Sequence, residues 1–295
     1  MGTLNLALPT CANLPGWEVD DAPLHAALRA RGAAVSLPVW DDPAVDWAAF
    51  DAVLIRSTWD YQEKLPAFLD WAARVAAASR LLNPLEVVRW NTHKTYLRDL
   101  EAAGAHITPT IWLEQGSAPD LSALLRERGW GRAFLKPMVG ATARETLRFS
   151  ADADGLQDAS AHLARLLPAE GMMLQPYMAR VETEGEFSVI VIDGQVTHSV
   201  QKIPTPGDYR VQDDFGASDR PVSLPTSDVS FALKVLELAR DRFDDLLYAR
   251  VDFLRDAAGR PCLNEVELVE PSLFFRHAPA AAETLADALI ARTAR

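Results

Sequence analysis

Cysteine is scarce: the 295 residues include only Cys11 and Cys262, far apart and in no C-x-x-C or Cys/His grouping. That argues against a disulfide framework or a thiolate metal site, and a reduced, cytoplasmic protein is the simplest expectation. The six histidines (25, 93, 106, 162, 198 and 277) never fall at metal-ligand spacing. No run of about 20 apolar residues could cross a bilayer, and MGTLNLALPTC has no basic lead-in, so no signal peptide is expected. Positive charge is also short. Against 41 Asp and Glu stand 29 Lys and Arg, a net −12, which disfavours nucleic acid or an anionic membrane as a partner. An anionic substrate must be met by local arginines and lysines or through a metal. The chain has no G-x-x-x-x-G-K-[ST], and its G-x-G, Gly129-Trp130-Gly131, precedes a strand instead of opening a helix after one. A P-loop kinase and a Rossmann dehydrogenase are therefore disfavoured.

What is present is an ordinary globular mixture, 49% hydrophobic and 24% charged, long enough for two or three domains or lobes. TLNLAL, AVSLPVW and DAVLIRSTW read as strands, alternating with the amphipathic helices PLHAALRARG and EKLPAFLDWAARVAAAS, the pattern of an open parallel sheet. In such sheets ligands sit beyond the carboxyl ends of the strands, where residues 10–21 and 56–61 fall. LEVVRWNTHKTYLRDLEAAG reads as one helix ending at Gly104. IWL, a helix near 119–128, strand–loop–strand over 132–149, a helix near 155–166 and MMLQPYM then make a small α+β lobe. EFSVIVIDGQVTHSVQKI is a hairpin turning at Asp193-Gly194, a type I′ dipeptide. The polar, Pro- and Gly-rich loop PTPGDYRVQDDFGASDRPVSLP is too long to be a mere connector. A helix near 227–242, a second hairpin through LLYARVDFLRDAAGRPCLNEVELVEP and a helix near 278–293 complete the chain. There is no internal repeat.

The second hairpin carries the chemistry. Successive strand residues point to opposite faces, so Glu265 and Glu267 share a face, as do Arg250 and Asp252 on the partner strand. Alone, Glu-x-Glu reads as a solvated edge. With Asp252 across the turn at 256–260 the three carboxylates come within one metal's reach, and Mg²⁺ prefers such oxygen ligands. Lys136-Pro137 closes a strand and enters a loop of small residues, Met138 to Ala143, whose N–H groups suit phosphate oxygens; by itself such a Lys-Pro is more often just a turn. Lys202 and Arg210 on the long loop, with Arg250 on its strand, are placed to meet a phosphate or a carboxylate. Glu270, of opposite parity, is assigned no metal and is expected to orient an Arg or Lys near the substrate.

Lys94, Lys136-Pro137 with its loop, Gln175-Pro176-Tyr177-Met178, Gly185-Glu186-Phe187-Ser188-Val189, Asp252 and Asn264-Glu265-Val266-Glu267, in this order from about residue 84 onward, resemble the ATP-grasp superfamily in its glutathione synthetase-like branch. The resemblance implies an ATP-grasp fold, α/β and α+β: a pre-ATP-grasp substrate domain with an open parallel sheet over 1–104, a small central lobe over 105–178 and a C-terminal lobe with the metal site over 179–295, the two lobes clasping ATP. It further implies that Lys94 and Lys136 contact phosphates and adenine, that Gly140, Ala141 and Thr142 close over the phosphates, and that Gln175, Pro176, Tyr177 and Met178 line the adenine. Glu182 or Glu184 would hold the ribose, and Asp252, Glu265 and Glu267 two Mg²⁺. Glu267 stands where the superfamily often has asparagine, which bears on metal count more than on metal presence.

Arg56-Ser57-Thr58-Trp59-Asp60-Tyr61, Val181 to Phe187, KIPTPGDYR and EVELVEPSLF resemble more narrowly the cycloserine-forming O-ureido-serine cyclo-ligases and their relatives. The implied activity is ATP-dependent carboxylate–amine ligation through an acyl phosphate, on a small amino-acid-like substrate. Arg56, Ser57, Thr58, Asp60 and Tyr61 are candidates to recognise its amine and carboxylate, or else merely fix the domain interface. An intermolecular ligase and a nucleotide-binding module without turnover are the competing readings. A homodimer is compatible with the sequence.

Overall fold

The computed structural model describes residues 3–14, 16–211, 216–243 and 245–293. Residues 212–215 of the long loop lie outside the described residues. The first sheet is parallel, in the order β2-β1-β3-β4, with β1 (Asn5–Ala7), β2 (Ala34–Ser36), β3 (Ala52–Leu54) and β4 (Arg80–Leu82). Every residue of β3 is buried, as expected of a parallel strand covered on both faces. Helices α1 (Ala22–Ala30) and α2 (Leu65–Ala78) cover it. In α2 the buried Phe68, Trp71, Ala72 and Val75 recur at i, i+3, i+4 and i+7, a single apolar stripe. Trp40 packs edge-on against Phe68 at 5.3 Å between ring centroids. β4 is three residues long, too short for periodicity to reveal, and it was absent from the sequence expectation.

The expected single helix after Pro84 is two: α3 (Leu85–Asn91) and α4 (Tyr96–Ala102). Asn, Thr and His are weak helix formers, Asn because its side chain competes for nearby backbone groups and Thr because its branched side chain loses rotamer freedom. Here His93 Nδ1 pairs with Thr95 Oγ1, and the Lys94 amide donates to Met138 O at 2.7 Å.

The second sheet is antiparallel, in the order β5-β8-β6-β7, from β5 (Ile111–Leu113), β6 (Arg132–Pro137), β7 (Leu147–Ser150) and β8 (Met172–Pro176), with α5 (Leu121–Arg128) and α6 (Ala153–Leu166) on one core. The third is also antiparallel, in the order β11-β10-β9-β12-β13, from β9 (Glu186–Ile192), β10 (Gln195–Ile203), β11 (Ser218–Pro221), β12 (Tyr248–Arg255) and β13 (Pro261–Glu267). Asp193 and Gly194 at the first hairpin both have positive φ, 50° and 78°, the type I′ conformation the dipeptide favours. β11 and the short α7 (Val181–Glu184) were not expected. Helix α8 (Thr226–Arg240) covers one face of this sheet; α9 (Pro279–Thr293) packs on α1, with Leu24, Leu28, Leu285 and Leu289 in one core.

β13 is an edge strand whose outer groups need partners. At its start, the Leu263 amide donates to His106 O and Leu263 O accepts from the Thr108 amide. At its end, the Val266 amide donates to Tyr96 Oη, Val266 O accepts from Asn91 Nδ2 at 2.8 Å, and the Leu268 amide donates to Asn91 Oδ1 at 2.7 Å. The α3–α4 break thus supplies side chains that align the strand carrying Glu265 and Glu267.

Candidate active site

A cleft of about 370 Å³ opens between the three sheets. Loops following β1 and β3 send Cys11, Asn13, Trp59 and Tyr61 into it, at the carboxyl ends of parallel strands as open sheets favour. On the central-lobe side stand Lys136, at the end of β6, and the loop carrying Gly140, Ala141 and Thr142. Thr142 and Ala143 have φ of 50° and 53°, a conformation uncommon for non-glycine residues and concentrated at functional loops. Gln175 to Met178 line the far wall. Tyr177 carries Arg132 over its ring at 4.2 Å. Tyr209 from the long loop meets Phe134 edge-on at 5.1 Å, so this loop closes against the central lobe.

The floor is a charge network on the third sheet. Opposed residues of antiparallel strands share a face, and the register sets Arg250 opposite Glu267, Asp252 opposite both Glu265 and Ser188, and Lys202 opposite Glu186. Asp252 accepts from Ser188 Oγ at 2.6 Å, from Lys202 Nζ at 3.1 Å and from Arg250 Nη2 at 2.9 Å. Against the effect of burial, the Arg250 and Lys202 charges hold its carboxyl below the usual range. Glu265 accepts from Lys94 Nζ at 2.7 Å, with Lys136 Nζ at 3.7 Å; these cations likewise hold it below its ordinary value despite burial. Glu267 is paired with Arg250, yet burial and the neighbouring Asp252 and Glu265 push it up to about 7. Burial, opposed by Glu265 and aided by Lys94, brings Lys136 down to about 8.

Asp252, Glu265 and Glu267 each offer an oxygen, all within 4.8 Å of one another. Clustered hard-oxygen donors suit Mg²⁺, so the residues present fit the expected ion. Glu186 and Asn264 complete the network and had been given no role: Asn264 accepts from Lys136 Nζ at 3.0 Å and donates to Glu186 at 2.8 Å. The spacing Glu186-x-Ser188 on the strand before the Asp-Gly turn is the signal that could have found Glu186.

Several expected site residues are placed elsewhere. Of the R-S-T-W-D-Y segment, Trp59 and Tyr61 reach the cleft wall, but Arg56, Ser57, Thr58 and Asp60 do not. Arg56 is buried in a forked pair with Asp21, both bonds 2.9 Å, Ser57 donates to Thr10 Oγ1, and Asp60 accepts from Trp40 Nε1 at 2.7 Å. These contacts lie within the first domain; Arg56 Nη2 also donates to Pro271 O at 2.8 Å, a bond across to the C-terminal lobe of the kind the alternative reading expects. Glu182 and Glu184 are also off the wall: α7 turns Val181 inward, leaving Glu182 with Tyr177, Arg132 and Arg148, and Glu184 with Arg180. Glu270 is on the wall but in no ion pair among the described residues, so it orients neither an Arg nor a Lys; Lys94 and Arg250 are held by Glu265, Asp252 and Glu267. Arg210 lines the cleft with its guanidinium forked on Asp208.

The prokaryotic glutathione synthetase ATP-grasp domain model matches residues 107–272, and the model of the N-terminal domain of D-cycloserine synthetase DcsG matches residues 6–83. The chain belongs to the ATP-grasp family. It is an ATP-grasp ligase that forms carbon–nitrogen bonds, and such ligases use ATP and Mg²⁺. The ligase is 34% identical over 305 residues to the cycloserine biosynthesis protein DcsG of Streptomyces lavendulae, covering 97% of this chain and 98% of that protein. It superimposes on the crystal structure of D-cycloserine synthetase DcsG with a TM-score of 0.89 at 31% identity, covering 98% of this chain and 99% of the other. D-alanine–D-alanine ligase from Bacillus anthracis, crystallised with ATP, shares the fold at a TM-score of 0.72 and 16% identity, over 99% and 98% of the two chains. No helix among the described residues is long and apolar enough to cross a membrane.

Proposed function

We propose that this ligase closes a ring within one small amino-acid-like molecule, converting O-ureido-D-serine or a close analogue to D-cycloserine. The observation that carries the reading is full-length likeness to DcsG in both the N-terminal and ATP-grasp parts, joined to a cleft whose inner end is walled by N-terminal loops. A substrate carboxylate oxygen attacks the γ-phosphorus of ATP and ADP departs. The O-linked ureido nitrogen then attacks the acyl carbon and expels phosphate, and the carbamoyl group leaves as carbamate with uptake of one water.

Lys94, Lys136 and the 140–142 loop are suited to the phosphates, and Gln175, Pro176, Tyr177 and Met178 to the adenine. Lys202, Arg210 and Arg250 are suited to the transferring phosphoryl group and the substrate carboxylate; fixed cations stabilise developing charge without reorganising. Asp252, Glu265 and Glu267 would hold Mg²⁺, which neutralises phosphate charge when bound. Three carboxylates exceed the one or two that one Mg²⁺ typically takes from protein, which supports two ions. Because the nucleophile and the acyl carbon belong to one molecule, orientation supplies much of the rate. We assign the enzyme to the cytoplasm and to antibiotic biosynthesis.

The test is phosphate release from ATP and Mg²⁺ with O-ureido-D-serine alone. Release in step with cycloserine supports ring closure, whereas a requirement for a second amine points to an intermolecular ligase. ATP binding with no ADP formed across a panel of amino-acid carboxylates and amines points to a binding module.

A further inference from the structure

Glu270 is the anomaly of the cleft. It is 8% exposed, it lines the cavity, and beyond a hydrogen bond to its own backbone its side chain has no hydrogen bond or ion pair to any other described residue. The other acids there are engaged: Glu186 with Lys202, Asp219 with Arg276, and the metal-cluster acids with Lys94, Lys202 and Arg250. Nor does Glu270 belong to the group of acids close enough to share an ion. Buried carboxylates are normally paired, so one aimed into a ligand cleft calls for a partner from the ligand.

The backbone around it is fixed on four successive carbonyls. Val269 O accepts from Tyr248 Oη at 2.6 Å, Glu270 O from Trp59 Nε1 at 3.1 Å, Pro271 O from Arg56 Nη2 at 2.8 Å and Ser272 O from Arg250 Nη1 at 3.0 Å. Donors from the N-terminal unit and from β12 thus hold the segment that presents the carboxylate, the support a recognition group needs.

We propose that Glu270 receives the protonated α-amine of the substrate. The assignment rests on the small amino-acid-like substrate argued above and adds to it. O-ureido-D-serine carries three nitrogens, the α-amine, the O-linked nitrogen and the terminal carbamoyl nitrogen, of which the O-linked one must attack; held as an ammonium against Glu270, the α-amine has no free lone pair and stays out of the ring. Arg56 and Trp59 act here as positioning residues, through backbone carbonyls.

Glu270→Gln keeps size and shape and leaves the four carbonyl contacts in place. The experiment measures kcat/KM on O-ureido-D-serine and on its analogue lacking the α-amine, together with ATP affinity. Wild type is expected to favour the amine-bearing compound by on the order of 10²-fold, the scale for loss of one partner of a buried charge pair. In the variant that preference should shrink to within a few-fold of one, through substrate KM, with ATP affinity unchanged and Glu270→Asp restoring part of the preference. A variant that keeps the wild-type preference, or that loses both substrates equally, overturns Glu270 alone. If wild type turns over no amino-acid-like carboxylate at all, the function proposed above falls and this assignment falls with it.

Discussion

Asn91→Ala tests whether the α3–α4 break holds the metal-bearing strand. Asn91 is one of the few bridges across the outer edge of β13, bonding Val266 O at 2.8 Å and the Leu268 amide at 2.7 Å. Val266 and Leu268 are 1% and 0% exposed, so water does not readily replace the lost side chain. Each buried backbone group left without a partner costs about 1–3 kcal/mol, which puts the pair at about 2–6 kcal/mol. With a slope of about 2 kcal/mol/M the urea midpoint of the transition that exposes this lobe should fall by roughly 1–3 M. Because Glu265 and Glu267 flank Val266, the surviving folded molecules should also need more Mg²⁺ for half-maximal turnover, while affinity for the adenine end of ATP stays near wild type. A midpoint shift under roughly 0.3 M with an unchanged Mg²⁺ requirement would refute the idea that Asn91 aligns the strand.

Glu265→Gln should still fold and should cut kcat by on the order of 10²-fold or more, since it removes charge where a phosphate-bound cation would sit; near-normal turnover at saturating Mg²⁺ removes it from the metal site. Arg56→Met strips the partner from buried Asp21, 6% exposed, and should destabilise by about 3–5 kcal/mol, as breaking a buried ion pair does, with only a modest rise in substrate KM. Unchanged stability with kcat/KM collapsed on every substrate would return Arg56 to direct substrate binding. Gly185→Ala forces a Cβ to 2.0 Å from Lys202 O at φ +68°, so the β9–β10 pairing must shift under Lys202; soluble protein with full activity and wild-type thermal stability would contradict that close approach.

The alternation of strands and helices in the first hundred residues was legible because it is local: apolar runs buried on both faces and the i, i+3, i+4, i+7 stripe of α2 lie within one segment. The misreadings arose where partners are distant. Arg56-Ser57-Thr58-Trp59-Asp60-Tyr61 sits at the carboxyl end of β3, where ligands belong, but its polar members turn toward Asp21 and Thr10, 35 and 47 positions away, and toward Pro271, 215 away. No spacing within the segment announces such partners. The α3–α4 break was missed for the same reason, since Asn91 and Tyr96 serve a strand 170 or more residues later.

The face on which Glu265 and Glu267 emerge depends on a single residue. From the turn, Arg255 pairs with Pro261, Leu254 with Cys262 and Phe253 with Leu263; regular continuation would set Asp252 opposite Asn264 and send Glu265 to the apolar face beside Val251. The register instead shifts, and Asp252 lies opposite Glu265. A one-residue slip exchanges the two faces of a strand, and a bulge is the way to make one in mid-ladder. Asn264 is the residue inserted, and it joins the site by bonding Lys136 and Glu186. The first hairpin repeats the device: Gln195 pairs with Ile192, and the irregularity between Val196 and His198 brings Lys202 opposite Glu186 instead of Gly185. Sequence parity could say that Glu265 and Glu267 share a face, but not which one. Two one-residue register shifts, one in each hairpin, turn the acids and Lys202 toward the same cleft.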